Sequence, residues 1–123
     1  MNKKIGEIIR EIRNQKGISL RKLAEIVNVS NVNILYIEKG KINTSLPVLK
    51  GIAKALNYNI DKLLAFANMI NDDIKGIINK RPVSITKFLR AAKNLTNDDW
   101  KNLTERILNN DLDLSPKEDL SKC

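Results

Sequence analysis

The chain has 123 residues, of which 42% are apolar, so it can form one domain or a small domain with an appendage. Its net charge of +8 favours a polyanionic partner, although a lysine-rich surface also serves solubility. It has no histidine and its single cysteine is Cys123, which excludes an internal disulfide and a Cys/His zinc cluster. No metal and no cofactor is expected.

The positive charge is concentrated in the first half of the chain. Residues 1–66 carry 12 Lys and Arg against 5 Asp and Glu, whereas residues 67–123 carry 10 against 9. The two halves are therefore expected to have different functions. No apolar run approaches the roughly 18 residues of a membrane span, and the first residues lack the apolar region of a signal peptide. We expect a soluble, cytoplasmic protein that does not bind membranes.

Apolar residues recur every three or four positions along almost the whole chain, which predicts an all-α fold. The first helix carries isoleucines on one face and ends before Gly17. Four residues with side chains suited to N-capping predict the starts of the next four helices: Ser19, Ser30, Ser45 and Asn59.

The second half is also predicted to be helical. A helix is expected across "MINDDIKGIINKR", with Ile70, Ile74, Ile77 and Ile78 on one stripe, and Pro82 marks its end. Ser84 is expected to cap the next helix, and Thr96 with Asp99 resembles a capping box for the last. We predict a domain over residues 1–67, a helical segment over 68–109 and a flexible polar tail over 110–123.

Two of the predicted helices are short, are joined by about three residues, and describe a helix-turn-helix. In the second, which begins after Ser30, Ile34, Ile37 and Glu38 share one face on a helical wheel, while Val32 and Tyr36 point the opposite way. In this motif the first helix supports the second, which can then lie in a DNA major groove.

The segment "GISLRKLAEIVNVSNVNILYIEKGKINTSLPVLKGIAKALNYNIDKLL" resembles the Xre/Cro-CI family of helix-turn-helix domains, over about residues 5–64. The marks that carry the resemblance are Leu23-Ala24, Val29-Ser30, Ile34, Glu38-x-Gly40-Lys41, Ser45 and "IAKAL". The resemblance implies a five-helix domain, followed here by a helical C-terminal segment. It also implies a sequence-specific DNA-binding transcriptional regulator of bacterial or phage type, with repression of a palindromic operator by a dimer as the expected mechanism.

The resemblance also implies roles for individual residues. Contacts to DNA bases are expected from Asn31, Val32, Asn33 and Tyr36. Contacts to DNA phosphates are expected from Ser19, Arg21, Lys39, Lys41 and Asn43. Arg13 and Glu38 are expected to form a structural ion pair. The chain departs from the family at Leu20, where glutamine is common, and its recognition helix lacks arginine and glutamine.

The helices of the second half are expected to form a homodimer interface that includes Phe88, Leu89, Trp100, Leu103 and Ile107. These apolar stripes could instead pack against the DNA-binding domain as additional core. The alternative function is a protein-interaction module, an antitoxin or antirepressor whose C-terminal helices bind another regulatory protein. An enzyme is not expected, because the chain lacks histidine, a glycine-rich phosphate loop and clustered catalytic carboxylates.

Overall fold

The computed structural model describes residues 3–112 and contains, within that range, eight α-helices and no β-strand. The all-α prediction is confirmed. The helices are α1 Lys3–Gln15, α2 Leu20–Val27, α3 Asn31–Glu38, α4 Leu46–Ala55, α5 Ile60–Phe66, α6 Asp72–Lys80, α7 Pro82–Ala91 and α8 Asn97–Leu108. The chain divides into two compact units, the first ending at Lys80 and the second beginning at Arg81. Most of the predicted tail, including Cys123, lies outside the described residues.

Aliphatic side chains from α1 to α5, together with Leu56 after α4, form the core of the first unit. Its buried members are Ile5, Ile9, Ile12, Leu23, Ala24, Ile34, Ile37, Leu49, Ile52, Ala53, Leu56, Leu63 and Leu64. Helix α3 contacts both α1 and α2, α2 also contacts α4, and α5 contacts α1 and α4. Helix α3 is therefore held by two neighbours while part of its surface stays exposed.

The predicted N-caps of α2 to α5 are confirmed. Ser19, Ser30 and Ser45 each accept a hydrogen bond on the side-chain oxygen from the backbone N–H three residues later, and Asn59 does the same. Each cap satisfies one of the backbone N–H groups that a helix start leaves without an internal partner. Short helices can therefore begin at defined residues without long connections between them.

The turn between α2 and α3 depends on Asn28, which lies in the left-handed region with φ 64° and ψ 47°. Asparagine adopts this conformation more readily than most residues. The N–H of Val29 then donates to the carbonyl of Ala24 at 3.0 Å, which satisfies the end of α2. Only residues 28–30 separate the two helices, so their relative orientation is closely fixed.

Helices α1 and α3 approach each other at Gly6, which is buried. A Cβ atom built there would overlap the carbonyl oxygen of Ile37 and lie 2.6 Å from the carbonyl oxygen of Glu38. Both atoms belong to the backbone of α3 and cannot move aside as a flexible side chain can. Glycine at this position therefore permits the contact that holds α3 against α1.

In the second unit, α7 begins at Pro82 and not after Ser84, so the prediction that Ser84 caps this helix is wrong. Proline suits the first helical position, because its φ is already helical and its missing N–H would have no partner there. The capping box of α8 is confirmed, with Asp99 N–H donating to Thr96 Oγ1 at 3.1 Å and Thr96 N–H donating to Asp99 Oδ2 at 3.0 Å. None of the described helices is both long and apolar enough to cross a bilayer.

Candidate nucleic-acid interface

Helix α3 carries apolar side chains on both of its faces. Ile34 and Ile37 are buried in the core. On the outer surface, Val32 is 54% exposed and Tyr36 is 40% exposed. Val32 and Tyr36 are four residues apart, so they lie next to each other and form one small apolar surface on the outer side of α3.

The structure places the four residues expected to contact bases at the start and on the outer face of this helix. Asn31, Val32 and Tyr36 are exposed, whereas Asn33 is half-buried. The backbone N–H of Asn33 donates to the Ser30 hydroxyl at 3.0 Å as part of the N-cap. The outer face of α3 is therefore formed mainly by Asn31, Val32 and Tyr36, with Asn33 at its edge.

The inner face of α3 ends in an ion pair with α1. Arg13 Nε donates to Glu38 Oε2 at 2.7 Å and Arg13 Nη2 donates to Glu38 Oε1 at 3.0 Å. A third donor, Nη1, bonds the carbonyl of Ile18 at 3.0 Å, just before α2. The two side chains are only 11% and 3% exposed. One guanidinium thus connects α1, the entry to α2 and the end of α3.

The hydrogen bond to Glu38 and its negative charge raise the pKa of Arg13 above the ordinary arginine value, against the opposing effect of burial. Because the pKa of Arg13 is higher in the folded state, its interaction with Glu38 stabilises the folded protein fully at any pH below the ordinary pKa of arginine. This stabilisation is lost only as the pH rises through the still higher folded-state value. Arg13 therefore stays charged through the neutral range, and the pair serves to position α3.

Beyond α3, the chain turns at Gly40, which is buried and has φ 70°. The N–H of Lys41 then donates back to the carbonyl of Tyr36 at 2.9 Å. This turn brings Lys41 Nζ to 5.6 Å from the centroid of the Tyr36 ring, within the range of a cation–π contact. A residue expected to contact phosphates and one expected to contact bases therefore lie side by side.

The residues expected to contact phosphates are all exposed. Arg21, Lys39, Lys41 and Asn43 are exposed, and so is Ser19. The Ser19 oxygen accepts the Lys22 N–H at 3.0 Å, which leaves its own O–H available as a donor. Ser19 and Arg21 thus lie at the start of α2, and Lys39, Lys41 and Asn43 follow the end of α3. Together they offer cations and hydrogen-bond donors near the two ends of the helix-turn-helix.

A cleft of about 430 Å³ borders α3, and we call it the α1–α3 cleft. It is lined by Glu7, Arg10, Arg13, Leu20, Leu35, Glu38 and Lys39. Arg10 is exposed there and was not among the residues expected to contact DNA. Its position three residues before Arg13 on α1 was the available signal, because residues three apart share one side of a helix.

The described residues contain no group of three or more Cys, Asp or Glu side chains that could hold a metal ion. The first unit instead presents amide, apolar and phenolic groups along α3, with cations around it. These groups can donate hydrogen bonds and ion-pair with phosphates, and they can contact base edges.

The family model described as HTH_3, helix-turn-helix, matches residues 9–63. This range includes all of α2, α3 and α4, the ion pair and the capped turn between α2 and α3. The matched region thus coincides with the part of the first unit that builds the candidate interface.

The chain is similar to several regulators. It is 40% identical over 58 residues to an uncharacterized HTH-type transcriptional regulator of Archaeoglobus fulgidus, covering 47% of this chain and 83% of that protein. It is 32% identical over 69 residues to the competence pilus inhibition repressor of Acinetobacter baylyi, covering 55% of this chain and 63% of that protein. The crystal structure of the clp gene regulator ClgR from C. glutamicum has a TM-score of 0.50 and 30% identity, covering 55% of this chain and 87% of that chain.

Proposed function

The chain belongs to the HTH_3 family of helix-turn-helix proteins, and we propose that it represses transcription by binding a palindromic DNA operator as a dimer. The observation that carries this proposal is the geometry of α3. Its inner face is fixed by buried isoleucines and by the bond between Arg13 and Glu38. Its outer face leaves Val32 and Tyr36 exposed, in a position to enter a major groove.

Base recognition follows from the chemistry of this outer face. The carboxamide of Asn31 can pair with the two hydrogen-bonding atoms on the major-groove edge of adenine, and Val32 can contact the methyl group of thymine. Tyr36 can donate to a phosphate or lie against a base edge. The surface therefore favours A·T pairs in the operator, with additional selection by the shape of the DNA.

Phosphate contacts supply most of the affinity. Arg21, Lys39 and Lys41 are exposed cations near the two ends of the helix-turn-helix. Each phosphate that they neutralise releases condensed counterions, so binding weakens as the salt concentration rises. The basic first half of the chain and the nearly neutral second half fit a division between DNA binding and protein association.

The dimer is assigned to the second unit. Phe88, Leu89 and Ile107 are each about half exposed, and Trp100 and Leu103 are half-buried. The rings of Phe88 and Trp100 meet edge to face, with centroids 6.2 Å apart and an interplanar angle of 72°. An aromatic pair beside exposed aliphatic side chains is the composition of an interface core. We expect the two copies of α3 in such a dimer to bind half-sites about one helical turn of DNA apart.

The alternative is a protein-interaction module, an antitoxin or antirepressor. The observation in its favour is the amount of apolar surface on the second unit, where Val83 is 69% and Leu108 is 75% exposed. A different regulatory protein could cover this surface as well as a second copy could. Co-purification of an unequal partner, with no salt-sensitive DNA binding by the free chain, would favour this alternative.

Footprinting tests the dimeric repressor. Genomic fragments retained by the immobilised protein would be probed with hydroxyl radicals in the presence of the free protein. We expect two protected segments on one face of the duplex, with centres about 10 base pairs apart or a multiple of that spacing. One protected segment would contradict the dimer, and uniform protection without a boundary would contradict sequence-specific binding.

A further inference from the structure

We propose that the α1–α3 cleft accepts the methyl group of one operator thymine on a floor formed by Leu20 and Leu35, while Arg10 and Lys39 hold a neighbouring phosphate. This inference rests on the proposed DNA-binding function and adds a specificity determinant to it. It assigns roles to three residues, Arg10, Leu20 and Leu35, that were not among the residues expected to contact DNA.

The cleft lies next to the outer face of α3. On a helix of about 100° per residue, Leu35 is about 60° around the axis from Val32, on the side toward Glu38. Leu20 is the first residue of α2, directly after the exposed Ser19 cap. Both leucines are half-buried and line the same cleft. A base edge that contacts Val32 would therefore lie beside the mouth of the cleft.

The two leucines favour an apolar group because they have no side-chain hydrogen-bonding atoms. Neither side chain can donate or accept a hydrogen bond, so the floor cannot pair with the polar atoms of guanine, adenine or cytosine. Thymine alone among the four DNA bases presents a methyl group in the major groove. Moving that methyl group from water onto partly exposed leucine side chains is favourable, because it removes apolar surface from water.

The charges that line the cleft favour a phosphate beside this base. Arg13 and Glu38 satisfy each other through two hydrogen bonds, so they contribute little net charge. The remaining lining charges are the cations of Arg10 and Lys39 and the anion of Glu7. Two cations against one anion leave the cleft net positive, which complements the DNA backbone.

The test uses the wild-type protein and an operator obtained by selection from a random duplex pool. Each thymine is replaced in turn by deoxyuridine, which removes the C5 methyl group and keeps the base pairing. We expect one position in each half-site, distinct from the position read by Val32, where this replacement weakens binding about fourfold, the effect of one buried methyl-sized group.

Protein variants then identify the residues that recognise the methyl group. Leu35→Ala should bind the thymine and deoxyuridine operators equally at that position, and so should Leu20→Gln. Ile26→Ala, which truncates an exposed side chain of α2 that does not line the cleft, should retain the fourfold difference. Val32→Ala should also retain it at this position. Thermal melting of each variant checks that the first unit remains folded.

The outcomes separate this inference from the proposed function. Sequence-selective binding that tolerates deoxyuridine at every position except the one assigned to Val32 would overturn the cleft proposal alone. An undiminished fourfold difference in folded Leu35→Ala and Leu20→Gln would also overturn it. Absence of any sequence-selective binding would overturn both proposals.

Discussion

Arg13 and Glu38 join α1 to the end of α3 through two hydrogen bonds of 2.7 and 3.0 Å, with both side chains almost excluded from water. The same guanidinium also bonds the carbonyl of Ile18 before α2. Planar, doubly hydrogen-bonded pairs of this kind fix orientation as well as distance. The angle at which α3 meets a partner is therefore set by residues that belong to the interior of the first unit.

Replacement of either partner in this pair should strongly destabilise the protein. Arg13→Gln or Glu38→Gln leaves a buried charge without its counter-charge, and we expect each to cost about 3–5 kcal/mol in the free energy of unfolding. Urea denaturation measures this change. Glu25→Gln, at an exposed position on α2, serves as the control and should change the unfolding free energy by less than about 0.5 kcal/mol. A loss below about 1 kcal/mol in both pair variants would show that the pair does not hold α3 in place.

Two glycines should respond in opposite ways to the same substitution. Gly6→Ala would force a methyl group against the backbone of α3, and we expect a loss of about 1–3 kcal/mol in the free energy of unfolding. Gly76→Ala lies within α6, where a Cβ meets no atom within 4 Å, so it should stabilise by about 0.5–1 kcal/mol. Calorimetric melting of the two variants checks both signs. Equal effects would contradict the close approach of α1 and α3 at Gly6.

The outer face of α3 should determine sequence preference. Tyr36→Ala and Asn31→Ala remove exposed side chains, so we expect little change in thermal stability. Affinity for the selected operator should fall by about tenfold for each variant, because a good base contact contributes about 1–3 kcal/mol of discrimination. Affinity for unrelated DNA should fall much less. Equal losses on both kinds of DNA would contradict the assignment of base contacts.

Lys41 should act differently from these two residues. We expect Lys41→Ala to weaken binding to operator and to unrelated DNA alike and to reduce the slope of log affinity against log salt by about one unit. The contact of Lys41 with the Tyr36 ring gives a second test. If Lys41 also positions Tyr36, Lys41→Ala should lose more affinity for the operator than for unrelated DNA. Arg21→Ala removes another exposed cation with no such contact in the described structure, and it provides the comparison. An unchanged salt slope in Lys41→Ala would contradict a phosphate contact.

The second unit should hold the dimer together. Leu89→Asp places a charge on an apolar side chain that is 48% exposed, so the unit should still fold while its self-association is lost. Sedimentation equilibrium should then give the mass of a monomer, and operator affinity should fall by more than tenfold. Asn94→Asp introduces the same charge at an exposed polar position, and its mass should match that of the wild type. A dimer that persists in Leu89→Asp would contradict this interface.

Local chemistry made most of the helices predictable from the sequence. Ser19, Ser30, Ser45 and Asn59 cap the helices that they were expected to cap, because each cap depends only on a side chain and on the backbone three residues later. The prediction that Ser84 caps α7 was wrong, and the reason is also local. Pro82 occupies the first position of α7 and starts the helix two residues earlier.

Features that depend on packing between helices could not be predicted in the same way. On a helical wheel Leu35 lies between the buried and the exposed face of α3, and only the positions of α1 and α2 make it part of a cleft. Arg10 enters the candidate site for the same reason. The overlap that Gly6 avoids depends on how closely two helix backbones approach, which no residue pattern encodes directly.

The most direct measurement is binding of the purified protein to a randomised duplex pool, with the retained sequences determined at two salt concentrations. We predict an enriched palindrome with A·T pairs in its half-sites, and half-site centres about one helical turn apart at both concentrations. Total binding should fall at the higher salt concentration while the enriched sequence stays the same. Retention without any enriched sequence would contradict base recognition by α3, and absence of retention at either salt concentration would contradict DNA binding itself.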